Sequence, residues 1–80
     1  MSDDQTIRDI AQAVTRYLEA NPQATETIDG VARWWLLQSR IEAAHEDVAA
    51  ALDLLVRQHV MKRTPVPGGD AVYSRREPPR

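Results

Sequence analysis

Apolar residues along the first twenty positions of the chain recur at the spacing of one helix face. They are Ile7, Ile10, Ala11, Val14, Tyr17 and Leu18. Polar side chains fill the intervening positions, so the pattern predicts an amphipathic helix whose apolar stripe needs a packing partner. We expect Ser2 or Thr6 to cap its start and Asn21-Pro22 to end it, followed by a short polar connection over residues 23–26.

A second, shorter helix is predicted after Thr27, whose hydroxyl can accept a hydrogen bond from the first turn. Its inward face comprises Ile28, Val31, Ala32 and Trp35, and a second apolar face comprises Gly30, Trp34, Leu37 and Ile41. Adjacent helical residues point about 100° apart, so Trp34 and Trp35 cannot both be central in one small core. The spacing places Trp35 inside. Trp34, Leu37 and Ile41 are then either a candidate protein interface or a secondary core covered by the first helix or the hairpin.

A third helix is predicted from about Glu42 to Gln58, after a turn at Gln38-Ser39-Arg40. Its inward residues are Ala44, Val48, Ala51, Leu52 and Leu55, with Ile41 at its start. The helix carries its polar side chains between these positions, as expected of a helix that packs on one side only.

A β-hairpin is predicted to follow the helices. Residues 60–64 alternate in the manner of a strand, residues 65–70 supply turn chemistry around Gly68-Gly69, and residues 71–75 form a second β-type run. We expect residues 1–76 to form a single domain and residues 77–80, which lack apolar anchors, to be a disordered tail.

The order of these elements resembles that of the winged helix-turn-helix superfamily of DNA-binding domains. Thr27-Ile-Asp-Gly-Val-Ala32 is similar to the family's capped second helix. The segment from Val48 to Arg63 is similar to its recognition helix running into a strand, with His59 at the position usual for glycine. The resemblance implies a mainly α fold of three helices with a small β-hairpin. Between Ala32 and Val48 this chain has several residues more than the compact motif, so either the turn is expanded or the helices are longer.

The length, the cysteine count and the histidine spacing exclude several classes of function. Eighty residues bury only a small core, and the absence of cysteine excludes disulfides and thiolate chemistry. The N-terminus is acidic and no apolar run is long enough to span a membrane, so we expect a cytoplasmic protein without a membrane partner. His45 and His59 lack metal-spaced partners, and no nucleophile stands near a base. We therefore expect no enzyme activity, metal, cofactor or small-molecule substrate.

Charge is distributed unevenly along the chain. The net charge is −2, but residues 1–53 contain ten acidic and four basic residues, whereas residues 54–80 contain two acidic and six basic ones. The outward positions predicted for the third helix are His45, Glu46, Asp47, Ala49, Ala50 and Asp53. Carboxylates repel DNA phosphates and alanines offer no hydrogen-bond donor, so this helix is poorly suited to reading a DNA groove.

Two functional hypotheses follow. In the first, the protein is a small regulatory or adaptor module that binds a partner protein, or a second copy of itself, through Trp34, Leu37 and Ile41. In the alternative, it is a DNA-binding transcriptional regulator whose hairpin contacts the phosphate backbone. The basic residues assigned to that contact are Lys62, Arg63, Arg75 and Arg76. Strand pairing would bring these four together, although cations at such positions also protect sheet edges from aggregation.

Overall fold

The structure, a computed structural model, describes residues 4–76 and all of their side chains except that of Gln38. These residues form three helices and a small antiparallel sheet. The elements are α1 (Asp4–Ala20), β1 (Thr25–Glu26), α2 (Ile28–Gly30), α3 (His45–Arg57), β2 (Met61–Val66) and β3 (Gly69–Arg75). A π-helical turn over Val31–Trp35 continues α2, and a 3-10 turn over Leu37–Ser39 follows it. The helices and the hairpin are confirmed, and their order is compatible with a winged-helix arrangement.

Helix α1 ends where the sequence predicts. The backbone N–H of Asn21 donates to the carbonyl of Tyr17 at 2.8 Å, and the Asn21 side-chain amide donates to the same oxygen at 3.0 Å. Pro22 then follows, and it cannot continue the helix because it has no N–H. Thr6 lies inside the helix and is not its N-cap. The alternative cap, Ser2, lies outside the described residues, and so does the tail predicted at residues 77–80.

Thr27 caps the second helix as predicted, but the helix does not continue regularly. The N–H of Gly30 donates to Thr27 Oγ1 at 3.2 Å. In the π-helical turn that follows, the N–H of Leu36 donates to the carbonyl of Val31, five residues back, at 3.2 Å. A π-turn holds one more residue than an α-turn, so Leu36 takes the direction that Trp35 would have in a regular helix. Leu36, which the helical spacing did not assign to the core, is fully buried.

The connection between the second and third helices is expanded. Arg40, at the end of the 3-10 turn, adopts the left-handed region with φ of 54°, and the turn predicted at residues 38–40 is confirmed. Residues 41–44 are not helical, and α3 begins at His45 instead of Glu42. Ala44 is exposed, so its assignment to the core is wrong. The longer chain between Ala32 and Val48 therefore expands the turn, and α3 is shorter than predicted.

The core lies between the three helical segments and the inner face of the sheet. Its residues are Ile10, Ala11, Ala13, Val14, Leu18, Val31, Trp35, Leu36, Val48, Ala51, Leu52, Leu55, Met61 and Tyr73. Trp35 stacks on Tyr17 of α1, with ring centroids 4.7 Å apart and an interplanar angle of 14°. The predicted inward residues of α3 from Val48 to Leu55 are confirmed, and they hold α3 against α1.

The sheet contains three strands, one more than the predicted hairpin. Its order is β1-β3-β2, with Thr25 paired to Ser74 and Glu26 paired to Tyr73. Strand β1 comprises only two residues, too few for an alternating pattern to indicate it, and the sequence predicted a polar connection there. The hairpin turn is also shorter than expected, since β2 ends at Val66 and β3 begins at Gly69.

His59 occupies the left-handed position that ends α3. Its φ is 63°, its N–H donates to the carbonyl of Val56 at 3.1 Å, and the N–H of Val60 donates to the carbonyl of Leu55 at 2.9 Å. These two bonds form a Schellman motif, in which glycine is favoured at the His59 position because it has no Cβ. The family resemblance implies a glycine at this position, and the left-handed backbone of His59 is the conformation that glycine adopts most easily.

Replacing Ala44 by serine is expected to stabilise the protein. Ala44 has the extended backbone of an N-cap, with φ of −66° and ψ of 148°, but no side chain caps α3. The introduced hydroxyl would accept a hydrogen bond from the first turn, and urea denaturation should show about 1 kcal/mol of added stability. Ala44→Val, which has no oxygen, is the control. Equal stability of the two variants would contradict a missing cap at this helix.

Replacing His59 by glycine is also expected to stabilise the protein, by about 1 kcal/mol in the same assay, because a left-handed non-glycine residue is strained. His59→Ala is the matched control, because it removes the 3.0 Å contact between His59 Nδ1 and Arg76 but keeps the Cβ. The alanine variant should not be stabilised. A glycine variant no more stable than the alanine variant would show that the backbone is not strained there.

Candidate functional site

Trp34 and Leu37 are large apolar side chains that remain exposed to solvent. Trp34 is 62% exposed and Leu37 is 66% exposed, whereas their neighbours Trp35 and Leu36 are buried. The alternative that the first helix or the hairpin covers Trp34 is therefore not seen in the described part of the chain. Ile41, the third predicted interface residue, is half-buried.

The π-helical turn explains why the four consecutive apolar residues from Trp34 to Leu37 divide in this way. A regular helix would place Trp34 and Leu36 on opposite flanks of Trp35, each about 100° from it. The extra residue in the π-turn rotates Leu36 towards the core, and the 3-10 turn beginning at Leu37 then carries the chain away. Trp34 is left on the outer flank.

A groove of about 440 Å³ runs alongside Leu37. It is lined by Ala32, Arg33, Leu36, Leu37, Arg40, Ile41, Glu42 and Ala43. The apolar residues of this lining come from both sides of the expanded turn, and Ile41 is one of them. We use the name turn surface for Trp34 together with this groove.

Arg33 and Arg40, set against Glu42, give the turn surface a net positive charge that the sequence did not single out. Both are exposed, and neither forms an ion pair with any residue between positions 4 and 76. Their spacing of seven residues could have indicated a common helix face, since two helical turns separate them. No such sequence signal exists for Leu36, because apolar spacing does not distinguish a π-turn from an α-turn.

The four predicted nucleic-acid contacts lie at one end of the sheet but on both of its faces. All four side chains are exposed. Directly paired residues share a face, and the register pairs Lys62 with Ser74 and Arg63 with Tyr73. Arg63 therefore belongs to the face that contains buried Tyr73, and Lys62 belongs to the outer face.

The last two cations follow the same alternation. Arg75 pairs with Met61, which is buried, so it is on the inner face of the sheet. The N–H of Arg76 donates to the carbonyl of Val60 at 2.9 Å, and its guanidinium lies 3.0 Å from His59 Nδ1. Strand pairing thus gathers the four cations within a few residues without forming a single face.

The outward side predicted for α3 is confirmed for His45, Glu46 and Asp53, whereas Asp47, Ala49 and Ala50 are half-buried. Glu46 and Asp53 are exposed, and Asp53 lies 3.6 Å from Arg57 on the next turn. At the start of the helix His45 lies 3.3 Å from Asp29 of α2. These carboxylates face the solvent with one arginine among them, so the helix presents little that would attract a phosphate backbone.

Among residues 4–76, no three histidine or acidic side chains come close enough together to hold a metal ion. No helix in that range combines the length and the hydropathy needed to cross a membrane. Comparisons with protein-family models, with curated proteins and with solved structures gave no match to this chain.

Leu36 and Leu37 provide a direct test of the geometry of the turn surface. Leu36→Ala should lower the free energy of unfolding by about 2 to 5 kcal/mol, because it leaves a cavity in the core. Leu37→Ala, the same change one position later, should alter it by no more than about 0.5 kcal/mol. Chemical denaturation of both variants measures the difference. A larger loss of stability for Leu37→Ala than for Leu36→Ala would contradict the burial of Leu36 and the exposure of Leu37.

Proposed function

We propose that this protein is a winged-helix module that acts by binding another protein through the turn surface. The observation that carries the proposal is the joint exposure of Trp34 and Leu37, since the other large apolar residues between positions 4 and 76, apart from Val66, are largely covered. Tryptophan is enriched among the residues that dominate binding energies, because its rigid ring buries a large area at low entropic cost.

The local backbone supports a functional role for these residues. In a regular helix Trp34 and Leu36 would both be partly buried, whereas the π-turn buries Leu36 and leaves Trp34 exposed. π-turns and left-handed non-glycine residues are unfavourable conformations that occur often at functional sites. This chain has one of each within the turn surface, at Val31–Trp35 and at Arg40.

The charges around the groove indicate the chemistry of the partner. Arg33 and Arg40 line the groove together with its apolar residues and outnumber its one acid, Glu42, so the complementary segment has apolar residues on one side and carboxylates beside them. An amphipathic helix with an acidic border meets both requirements, because its apolar residues recur on one face at the spacing of a groove. We therefore propose an acidic amphipathic helix of another protein as the occupant.

DNA binding through the hairpin is the less supported alternative. The acidic outer side of α3 opposes a phosphate backbone, and the four cations at the sheet end are divided between two faces. A few phosphate contacts would give weak binding that falls steeply with salt concentration.

Selection from a displayed library of randomised helical peptides tests the proposal. Peptides that bind the whole protein should be enriched in carboxylates beside helically spaced apolar residues. Trp34→Ala should weaken the binding of a selected peptide about thirtyfold, the loss of a residue worth about 2 kcal/mol. Val66→Ala is the matched control, since Val66 is also an exposed apolar residue, 40% accessible, but lies at the hairpin tip.

Two outcomes would contradict the proposal. Selected peptides that bind the Trp34→Ala and wild-type proteins equally well would place the contact elsewhere. Enrichment of basic residues, or of no charged residue, would contradict the role of Arg33 and Arg40.

Sedimentation of the protein alone is the companion measurement. A dimer abolished by Trp34→Ala would identify a second copy as the occupant in place of another protein.

A further inference from the structure

The outer face of the sheet carries a row of hydrogen-bond donors that crosses all three strands. Thr25 of β1 is paired with Ser74 of β3, which is paired with Lys62 of β2. Directly paired residues project from the same face, and neighbouring strands lie about 4.8 Å apart. Two hydroxyls and an ammonium group therefore stand side by side on the face away from the core.

A groove of about 520 Å³ opens over this row. Its lining residues are Pro22, Gln23, Thr25, Lys62, Ser74 and Arg75. None of them is acidic, and every polar side chain among them can donate a hydrogen bond. Neither Lys62 nor Arg75 forms an ion pair with another residue of the described chain, so both positive charges are uncompensated.

We infer that this groove binds a phosphate group. A phosphate offers several acceptor oxygens in a tetrahedral arrangement, which suits a groove whose donors come from three strands and from the connection after α1. The charge-assisted bond from Lys62 would be the strongest in the site, and the hydroxyls of Thr25 and Ser74 can complete the phosphate's shell. Arg75, whose register is on the inner face, adds positive charge at the edge of the groove. The groove shares no residue with the turn surface, so the inference stands independently of the proposed protein contact.

The groove assigns different roles to cations that the sequence placed in one set. Lys62 lines it from the outer face, and Arg75 borders it although the strand register assigns Arg75 to the inner face. Arg63, also on the inner face, does not line it. A charge removed from Lys62 and a charge removed from Arg63 change the net charge of the protein equally. They should change the affinity for phosphate very differently.

Amide NMR titration of the whole protein with inorganic phosphate tests the inference, with sodium chloride and sodium acetate at matched ionic strength as controls. Phosphate should produce saturable shifts at Thr25, Lys62 and Ser74, with a dissociation constant that is roughly millimolar because the site is open to water. Lys62→Gln should weaken binding about five- to tenfold, and Arg63→Gln, the matched control, should leave it within about twofold.

Further variants and ligands identify the hydroxyl contribution and the source of the phosphate. Ser74→Ala should weaken phosphate binding about threefold without changing charge. Thymidine monophosphate and a random-sequence DNA duplex are then added separately. Duplex-induced shifts at the same residues, reversed by free phosphate, support the site and assign it to a nucleic-acid backbone. Shifts with the nucleotide but not with the duplex support the site and assign it to a small phosphate-bearing molecule.

Three results would overturn the inference. One is an absence of saturation by phosphate, and another is an equal response to chloride or acetate. The third is an equal loss of affinity in the Lys62→Gln and Arg63→Gln variants, because that would show a response to net charge and not to a site. The spectra of the Lys62→Gln and Arg63→Gln variants outside the groove should match the wild-type spectrum, since Lys62 and Arg63 are exposed.

Discussion

The hydrogen bond from the N–H of Leu36 to the carbonyl of Val31 determines how the middle of this chain is arranged. It closes a π-helical turn, and that turn decides which of four consecutive apolar residues enter the core. Trp35 and Leu36 are buried and Trp34 is exposed because the extra residue rotates the chain after Val31. The core and the turn surface are thus two consequences of one backbone feature.

The contacts on either side of this turn explain why it persists. Thr27 caps α2 at its start, and Trp35 stacks on Tyr17 of α1 at the other end. A small domain has few core residues, so losing either Trp35 or Leu36 from the interior would remove a large share of its apolar burial. Packing of both residues offsets the unfavourable geometry of the π-turn, and the exposed position of Trp34 follows from that packing.

Local spacing was sufficient to predict the parts of the fold in which one pattern persists for several residues. Helix α1, the inward residues of α3 from Val48 to Leu55, and the hairpin are of this kind. Strand β1 was not predicted because a strand of two residues shows no alternating pattern of apolar and polar positions. Its two residues pair only with β3, which is distant in the sequence. The start of α3 was misplaced because Ala44 provides no capping side chain, so nothing local distinguishes the extended residues before it from helix. Among the candidate site residues, exposure of Trp34 followed from the angle between adjacent helical residues, but the burial of Leu36 did not.

The distribution of charge explains how a chain of net charge −2 can present two positive surfaces. Only four basic residues lie within positions 1–53, and two of them, Arg33 and Arg40, flank the apolar groove of the turn surface. The basic residues of the last third are separated by strand alternation, so that Lys62 and Arg63 face opposite sides of the sheet. A ligand experiences the charges close to its site more strongly than the average, because salt screens exposed charges beyond about 8 Å. The net charge consequently says little about partners here, and the faces on which individual arginines and lysines lie say more.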